Sequence, residues 1–532
     1  MLRKKYLKIS FLILLFKVLS ILDKKGINKL VSLLTLVILQ AVFDVISLAS
    51  LTPLIQIITN KSKLELYIKN WIANFNIDFN FITNDLSLSF LIPGIVILIM
   101  IISTVVRLYV LYKTVNFVEE IRHQISIRLM KKYIYSDIKL NVNSSEIAKS
   151  ILSEVDQFII IVFRPIILML TNILVLSGII CYLFYTNIQA SLFSLTLLIS
   201  FYLFFYLFSK RKLNLEGYKM ENANKGRFIT SIEVFSSIKD IKIYEAEDYF
   251  INRFKKFSRI FANTNATYST LVASPKLILE MIVFIAIALS ICLISIVNMD
   301  IFNSLPLLGI FAFAAYKSQP ALSNVLYGIN SIEYGSKIIS NLYNSLKHPY
   351  KNKYDYKKNI KINIKNVAKN SLVIKNIKFI YDNNKGINNI NLSLNFPSLF
   401  VLVGPSGSGK STLLNIISGN IKQQEGEIYF SKIGNYGYPK VSYLHQEYSL
   451  YDASIAENIA FGICRENIDY VYLKKVLILA EIYDYISTLK NGVNEVIGEN
   501  GSNLSVGQRQ RIALARALYF KPDILILDEP TS

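Results

Sequence analysis

The stretch LFVLVGPSGSGKSTLLNIISG, residues 399–419, decides how this chain is read. Its five leading apolar residues predict a strand, the glycine-rich run a tight turn, and Lys410 onward a helix. Gly404, Gly409, Lys410 and Ser411 satisfy the spacing G-x-x-x-x-G-K-[ST]. Glycines in such a turn let backbone N–H groups wrap phosphate oxygens, and the helix N-terminus adds its dipole. The run Gly404, Pro405, Ser406, Gly407, Ser408 and Gly409 is therefore the expected phosphate cradle. Lys410 is placed to reach β- and γ-phosphates and Ser411 to ligate Mg²⁺, with Thr412 counted among the nucleotide-binding residues. A nucleotide and Mg²⁺ are the implied ligands.

A second strand pattern lies downstream in ILILDEPTS, residues 524–532. Four aliphatic residues running into paired carboxylates predict a buried strand that carries acids to its exposed end. Asp528 is the expected acid that holds Mg²⁺ through water, sharing the metal with Ser411. Glu529, one residue on, is placed to orient or polarise the attacking water.

Upstream of the soluble domain the composition changes. Residues 30–60 hold one charge, Asp44, and the 45-residue stretch 165–209 holds none. Uncharged apolar runs of about 20 residues cross a bilayer core of about 30 Å. Six spans are predicted at roughly 30–57, 86–112, 158–184, 189–209, 277–298 and 303–330, with YTNIQ (185–189) as a hairpin. The net charge of +21 could suggest nucleic acid, but its distribution argues against that partner. Thirteen Lys/Arg fall in 210–276 and eight in 107–157, while the short loops 185–189 and 300–304 have none. Basic residues gather on the cytoplasmic side of membrane proteins. Both termini and both long loops are thus expected in the cytoplasm, with a lipid bilayer as the partner of the first half.

The opening segment MLRKKYLKISFLILLFKVLSILDKK lacks a small-residue cleavage site, and Lys17 interrupts its apolar run. It reads as an interfacial helix rather than a cleaved leader. The long loops carry apolar residues at helical spacing over 122–138 and 226–254, which predicts helices that extend into the cytosol and receive force near 141–147 and 234–241. A Lys/Asn-rich linker occupies about 349–368. The expected organisation is an N-terminal interfacial helix (1–25), a transmembrane domain (26–345), a linker (346–368) and a nucleotide-binding domain (369–532). Cys181, Cys292 and Cys464 are too scattered for a metal site.

Between the two nucleotide motifs stands GENGSNLSVGQRQRIALARAL, residues 498–518. Its core, Leu504-Ser505-Val506-Gly507-Gln508, resembles the LSGGQ signature of ATP-binding cassette (ABC) transporters, with valine where the first glycine normally stands. The resemblance covers essentially the whole chain. It implies an all-α six-helix exporter transmembrane domain fused to an α/β P-loop NTPase domain, a multidomain membrane protein. It further implies that Gln446 in VSYLHQ bridges Mg²⁺ and the membrane domain, and that Tyr381 stacks on adenine. Ser505, Gly507 and Gln508 would contact ATP in trans, because two cassettes sandwich two nucleotides. One membrane set and one cassette make a half-transporter, so a second subunit is implied, most simply an identical one. The family continues beyond DEPTS with a loop at the dimer interface and a strand ending in a histidine. His123, His348 and His445 all precede the signature, so the chain is expected to be C-terminally incomplete and, in this 532-residue form, inactive as an ATPase.

The transported substrate is less legible. Arg107, Lys276 and Lys317 lie at or inside apolar runs, where charges are costly and suggest function. Cations facing a cavity suit an anionic lipid-linked substrate, because Lys and Arg pair with phosphate. FDVISLASLTPLI, VVRLYVLYK and SPKLILE also resemble bacterial lipid-linked oligosaccharide flippases. The leading reading is therefore ATP-driven flipping or export of a polyprenyl-phosphate glycan at the bacterial inner membrane. Export of a peptide, protein or other lipid remains an alternative, as does a non-transporting ATP sensor.

Overall fold

The computed structural model describes residues 11–50, 52–54, 85–135, 147–296, 301–347, 371–381, 385–430, 439–446 and 448–528. They form two compact units, Met1–Ile134 with Asn141–Pro349, and Tyr135–Leu140 with Tyr350–Ser532.

The first unit is helical. It comprises α1 (Phe11–Ile21), α2 (Lys24–Ala49), α3 (Asp85–Tyr135), α4 (Arg164–Thr186), α5 (Ile188–Ser236), α6 (Ile238–Ile243), α7 (Glu247–Ile296), α8 (Ile301–Tyr334) and α9 (Ser336–Lys347). Apolar runs adopt helices in a bilayer because the backbone must satisfy its own hydrogen bonds there. Among the described residues, Lys24–Leu54, Ile92–Tyr135 and Lys149–Thr186 are long and apolar enough to cross a membrane. The other three expected spans fall on α5, α7 and α8. Positions 51, 55–57 and 297–298 of the expected spans lie outside the described residues, as do 1–10 of the expected interfacial helix, 141–146, and 348–368 of the linker.

Helix length explains the extensions beyond the bilayer. With 51 residues, α3 runs about 75 Å at 1.5 Å per residue, more than twice the bilayer core. α5 and α7, of 49 and 50 residues, do the same. Before α4 the chain makes two π-helical turns, Lys149–Glu154 and Phe158–Phe163. The first buries Lys149 between Glu154 (3.1 Å) and Glu221 of α5 (2.8 Å). The core of this unit packs Ile121, Ile125 and Leu129 of α3 against Phe158, Val162 and Ile166, with Ile338, Ile339 and Leu342 of α9. α1 presents Leu14, Val18 and Ile21 to the same core, and Lys17 lies over the Tyr343 ring at 5.5 Å. α5 and α8 cross on Gly217, where a Cβ would stand 1.9 Å from the Tyr334 carbonyl oxygen.

The second unit is α/β. β1 (Ser371–Ile380), β2 (Gly386–Asn395) and β3 (Glu425–Phe430) form an antiparallel sheet in the order β2-β1-β3, with Ile374 opposite Leu392 and Ile428. β4 (Val441–Leu444) and β5 (Ile524–Leu527) pair in parallel, with Tyr443 beside Ile526. α10 (Lys410–Ile417) lays Leu413, Ile416 and Ile417 on a core with Ile374, Ile387 and Ile526. A separate helical core joins α11 (Ile455–Ile459), α12 (Tyr470–Leu479), α13 (Tyr483–Thr488) and α14 (Val506–Tyr519) through Ile459, Val476, Leu477, Ile486 and Ile512.

One expectation is corrected. Residues 399–403 were predicted as the strand before the phosphate loop, but they form no strand, and Leu399, Val401 and Val403 are exposed. A strand exists only through its ladder partners, and among the described residues none pairs with this segment.

Candidate functional site

The phosphate loop has the backbone that its sequence demands. Gly407 and Gly409 take φ of 81° and 94°, a left-handed region that costs other L-residues roughly 1–2 kcal/mol. A Cβ at Gly409 would also come within 2.4 Å of Ile387 Cγ2 on β2. The loop then enters α10 at Lys410. The Lys410 ammonium donates to the carbonyls of Gly404 (2.7 Å) and Pro405 (3.0 Å), so its side chain folds back over the mouth of the loop. Ser411 is exposed beside it, and Thr412 is half-buried.

Tyr381, at the end of β1, places its hydroxyl 3.4 Å from Thr412 Oγ1, and its ring packs edge-on against Phe379. The structure therefore brings the candidate adenine-stacking residue to the helix that follows the phosphate loop.

Asp528 leaves the end of β5 and is held twice by β4. Its N–H donates to the Leu444 carbonyl at 3.1 Å, and the Tyr443 hydroxyl donates to its Oδ2 at 2.8 Å. Burial, and then the Asp528 carboxylate, push the Tyr443 hydroxyl above its usual range, so it stays protonated and remains a donor. His445 lies against the Tyr443 ring, tilted by 34° with centroids 3.8 Å apart. Burial lowers its pKa, and Asp528 opposes that shift. Gln446 follows, exposed, two residues past β4. Glu529 lies outside the described residues. The donor set fits Mg²⁺: a hydroxyl, a carboxylate and an amide are the hard oxygen ligands that this ion takes alongside phosphates. Among the described residues no three His, Cys, Asp or Glu gather into a protein-only metal site.

The signature forms the start of α14. Ser505 is the N-cap: its hydroxyl accepts from Gln508 N–H at 3.3 Å, while Gln508 Oε1 accepts from Ser505 N–H at 2.8 Å. This capping box satisfies two donors that a helix start would otherwise leave open. It also refines the sequence reading, since the Gln508 amide oxygen serves its own helix. Val506 is exposed, and its carbonyl accepts from the Tyr448 hydroxyl at 3.3 Å. A Cβ at Gly507 would meet nothing within 4 Å in this chain.

In the helical unit, two of the three singled-out cations converge on one acid. Asp44 of α2 is fully buried, and its Oδ1 accepts from Arg107 Nη2 (2.8 Å) and Ser103 Oγ (3.2 Å). Lys317 Nζ stands 3.3 Å from the same oxygen and donates to the Asp44 carbonyl at 2.6 Å and to Ser47. Lys276 is exposed and is not among these groups. Sequence reasoning noted Asp44 as the lone charge of its span but assigned it no role. The rule applied to the cations would have found it. Tyr443 and Tyr448 gave no comparable signal among 33 tyrosines.

Comparison with known proteins shows the family of both units. Residues 30–319, more than half of the chain, match the family described as the ABC transporter transmembrane region, and residues 387–532 match the ABC transporter family. An ATP-dependent lipid A-core flippase from Francisella tularensis subsp. tularensis is 28% identical over 404 residues, covering 73% of this chain and 64% of the relative. The flippase of that name from Wigglesworthia glossinidia brevipalpis is 37% identical over 176 residues, 31% of this chain and 30% of its own. The chain thus matches just under two thirds of the length of the Francisella relative. A solved bacterial Atm1-family ABC exporter with ATP bound superposes with a TM-score of 0.70, covering 96% of this chain and 86% of that one at 16% identity. At that identity the match speaks to the fold.

Proposed function

The chain belongs to the ABC transporter family, and from that premise we propose that it is a half-transporter using ATP to move an anionic lipid-linked substrate across the bacterial inner membrane. A polyprenyl-phosphate glycan is the class we favour. The observation that carries the reading is the union, in one chain, of a helical ABC transmembrane region and a complete phosphate loop followed by a capped signature helix.

ATP occupies the loop 404–412 of one subunit, with Lys410 on the β- and γ-phosphates and Tyr381 against the base. Ser505 and Gly507 of a second, identical subunit close the site. Mg²⁺, when bound, would neutralise charge that develops in phosphoryl transfer. Ser411, Asp528 and Gln446 would hold it, and Glu529 would orient the water. Because closure requires two subunits, nucleotide binding energy is converted into a change of membrane-helix arrangement. The nucleotide domain lies on the cytoplasmic side, where the basic loops belong.

Two lines support the substrate class. Relatives are named lipid A-core flippases, and Arg107 and Lys317 place two cations against the single carboxylate of Asp44. The test is flipping of a fluorescent polyprenyl-pyrophosphate oligosaccharide in proteoliposomes. Lys410→Ala abolishes ATP binding and flipping together. A neutralised triple variant, Asp44→Asn with Arg107→Gln and Lys317→Gln, keeps basal ATPase and loses most flipping. Normal flipping by the triple variant overturns the substrate reading, and unchanged ATP affinity in Lys410→Ala overturns the nucleotide reading.

A further inference from the structure

Parallel pairing of β4 and β5 sets Val441 beside Ile524, Tyr443 beside Ile526 and Leu444 beside Leu527. Side chains alternate faces along a strand, so Ile524, Ile526 and Asp528 share one face of β5, and Val441 and Tyr443 share that face of β4. Ile526 is buried in the core under this face, with Val441, Tyr443 and Ile524 packed around it. Diagonal neighbours two residues along a paired strand stand within reach of a long side chain. Tyr443 uses that diagonal: its ring lies over the Ile526 level and its hydroxyl reaches Asp528 Oδ2 at 2.8 Å. A leucine at 443 would fill the core but fall short of the acid. A phenylalanine would reach it but could not donate.

We infer that Tyr443 is a positioning residue for the metal-side carboxylate of the nucleotide site, an inference that rests on the ATP reading given above. By holding Oδ2 it fixes the side-chain rotation of Asp528, the carboxylate that would serve the metal. The carboxylate stands one residue past β5, where one bond, from its N–H to the Leu444 carbonyl, anchors the backbone. A backbone anchor does not fix a side-chain torsion, and the phenol supplies that missing constraint. His445, tilted against the same ring at 3.8 Å, limits the swing of the phenol in turn. The chain therefore carries an outer-shell partner on β4, three residues before Gln446, so both metal-side groups are set by one strand.

The experiment uses the purified full chain in detergent, with Mn²⁺ in place of Mg²⁺ as a paramagnetic probe and a fluorescent ATP analogue. Tyr443→Phe keeps the ring and removes only the donor. Loss of an outer-shell partner lowers metal affinity by about 10–100-fold, so Mn²⁺ binding to the nucleotide-loaded chain should weaken by at least about tenfold. Affinity for the analogue in the presence of a chelator should equal that of the unaltered chain. In an Asp528→Asn background the same substitution should add no further loss, because the partner it served is gone. Unchanged Mn²⁺ affinity in Tyr443→Phe overturns the inference, and so does a further loss in the Asp528→Asn background. An equal fall in metal-free nucleotide affinity overturns it too, since the tyrosine would then shape the pocket as a whole. Lys410→Ala reports separately: if it leaves analogue binding intact, the nucleotide reading fails, whatever Tyr443 does.

Discussion

Asp44 carries a charge whose role is decided by groups far away in sequence. It sits among aliphatic residues of α2, where a lone ionised carboxylate is very costly unless paired. Its partners come from positions 63 and 273 residues further along the chain. A single-residue reading could mark Arg107 and Lys317 as costly and therefore purposeful. It could not see that they share an acid, because their convergence is a property of three packed helices. The phosphate loop is the opposite case: its contacts lie within six residues of each other, so spacing alone revealed them. Two outcomes follow at this scale. Asp44→Ala leaves two cations without their acid and should cost about 3–5 kcal/mol, read by chemical unfolding in detergent. Asp44→Asn combined with Arg107→Gln should cost clearly less than Asp44→Ala. Equal losses would mean the pairing contributes nothing. Gly409→Ala should lose nucleotide binding, because its Cβ meets Ile387 on β2 while the backbone is also strained. Gly407→Ala meets no neighbour and should incur only the roughly 1–2 kcal/mol of the left-handed backbone.

Among elements, the signature helix separates two roles that the sequence superimposes. Ser505 and Gln508 form a capping box within the chain, whereas Gly507 faces open space. Ser505→Ala should therefore lower the stability of the nucleotide-binding unit by about 0.5–2 kcal/mol, the usual worth of an N-cap, measured by thermal unfolding without nucleotide. Gly507→Ala should leave that stability unchanged yet impair ATP-dependent association of two chains, measured by light scattering or crosslinking. If Gly507→Ala destabilised the isolated chain to the same extent, the glycine would serve the fold rather than a partner's phosphate. The helix opening at Lys410 was legible because a glycine turn followed by apolar spacing is a local signal. The segment 399–403 was not, since alternation of apolar residues states a preference that only a neighbouring strand can realise. β5 shows the same pattern with a partner present, and there ILIL became a strand paired to β4.

For the molecule as a whole, the division into a membrane half and an ATPase half was legible because solvent sets composition over tens of residues. Long uncharged runs became long helices, and the Lys/Arg-rich loops became their extensions. What composition could not supply was the detail of continuity. The third span enters through two π-helical turns tied down by the buried Lys149–Glu221 pair, a feature that depends on the facing helix α5. Orientation is the remaining large-scale claim, and charge counting carries it. The turn between α4 and α5, at Asn187, has no Lys or Arg from 185 to 189, whereas thirteen stand between 210 and 276. Each juxtamembrane Lys or Arg gains about 1 kcal/mol near an anionic cytoplasmic surface, so inverting the chain would forfeit many such contributions together. In a chain with Cys181, Cys292 and Cys464 replaced by alanine, a single cysteine at Asn187 should react with a membrane-impermeant maleimide from outside intact spheroplasts. A single cysteine at Lys239, in the exposed helix α6, should react only after permeabilisation. The reverse labelling pattern would place the ATPase half on the wrong side of the membrane for cellular ATP, and the transport reading would fall with the orientation.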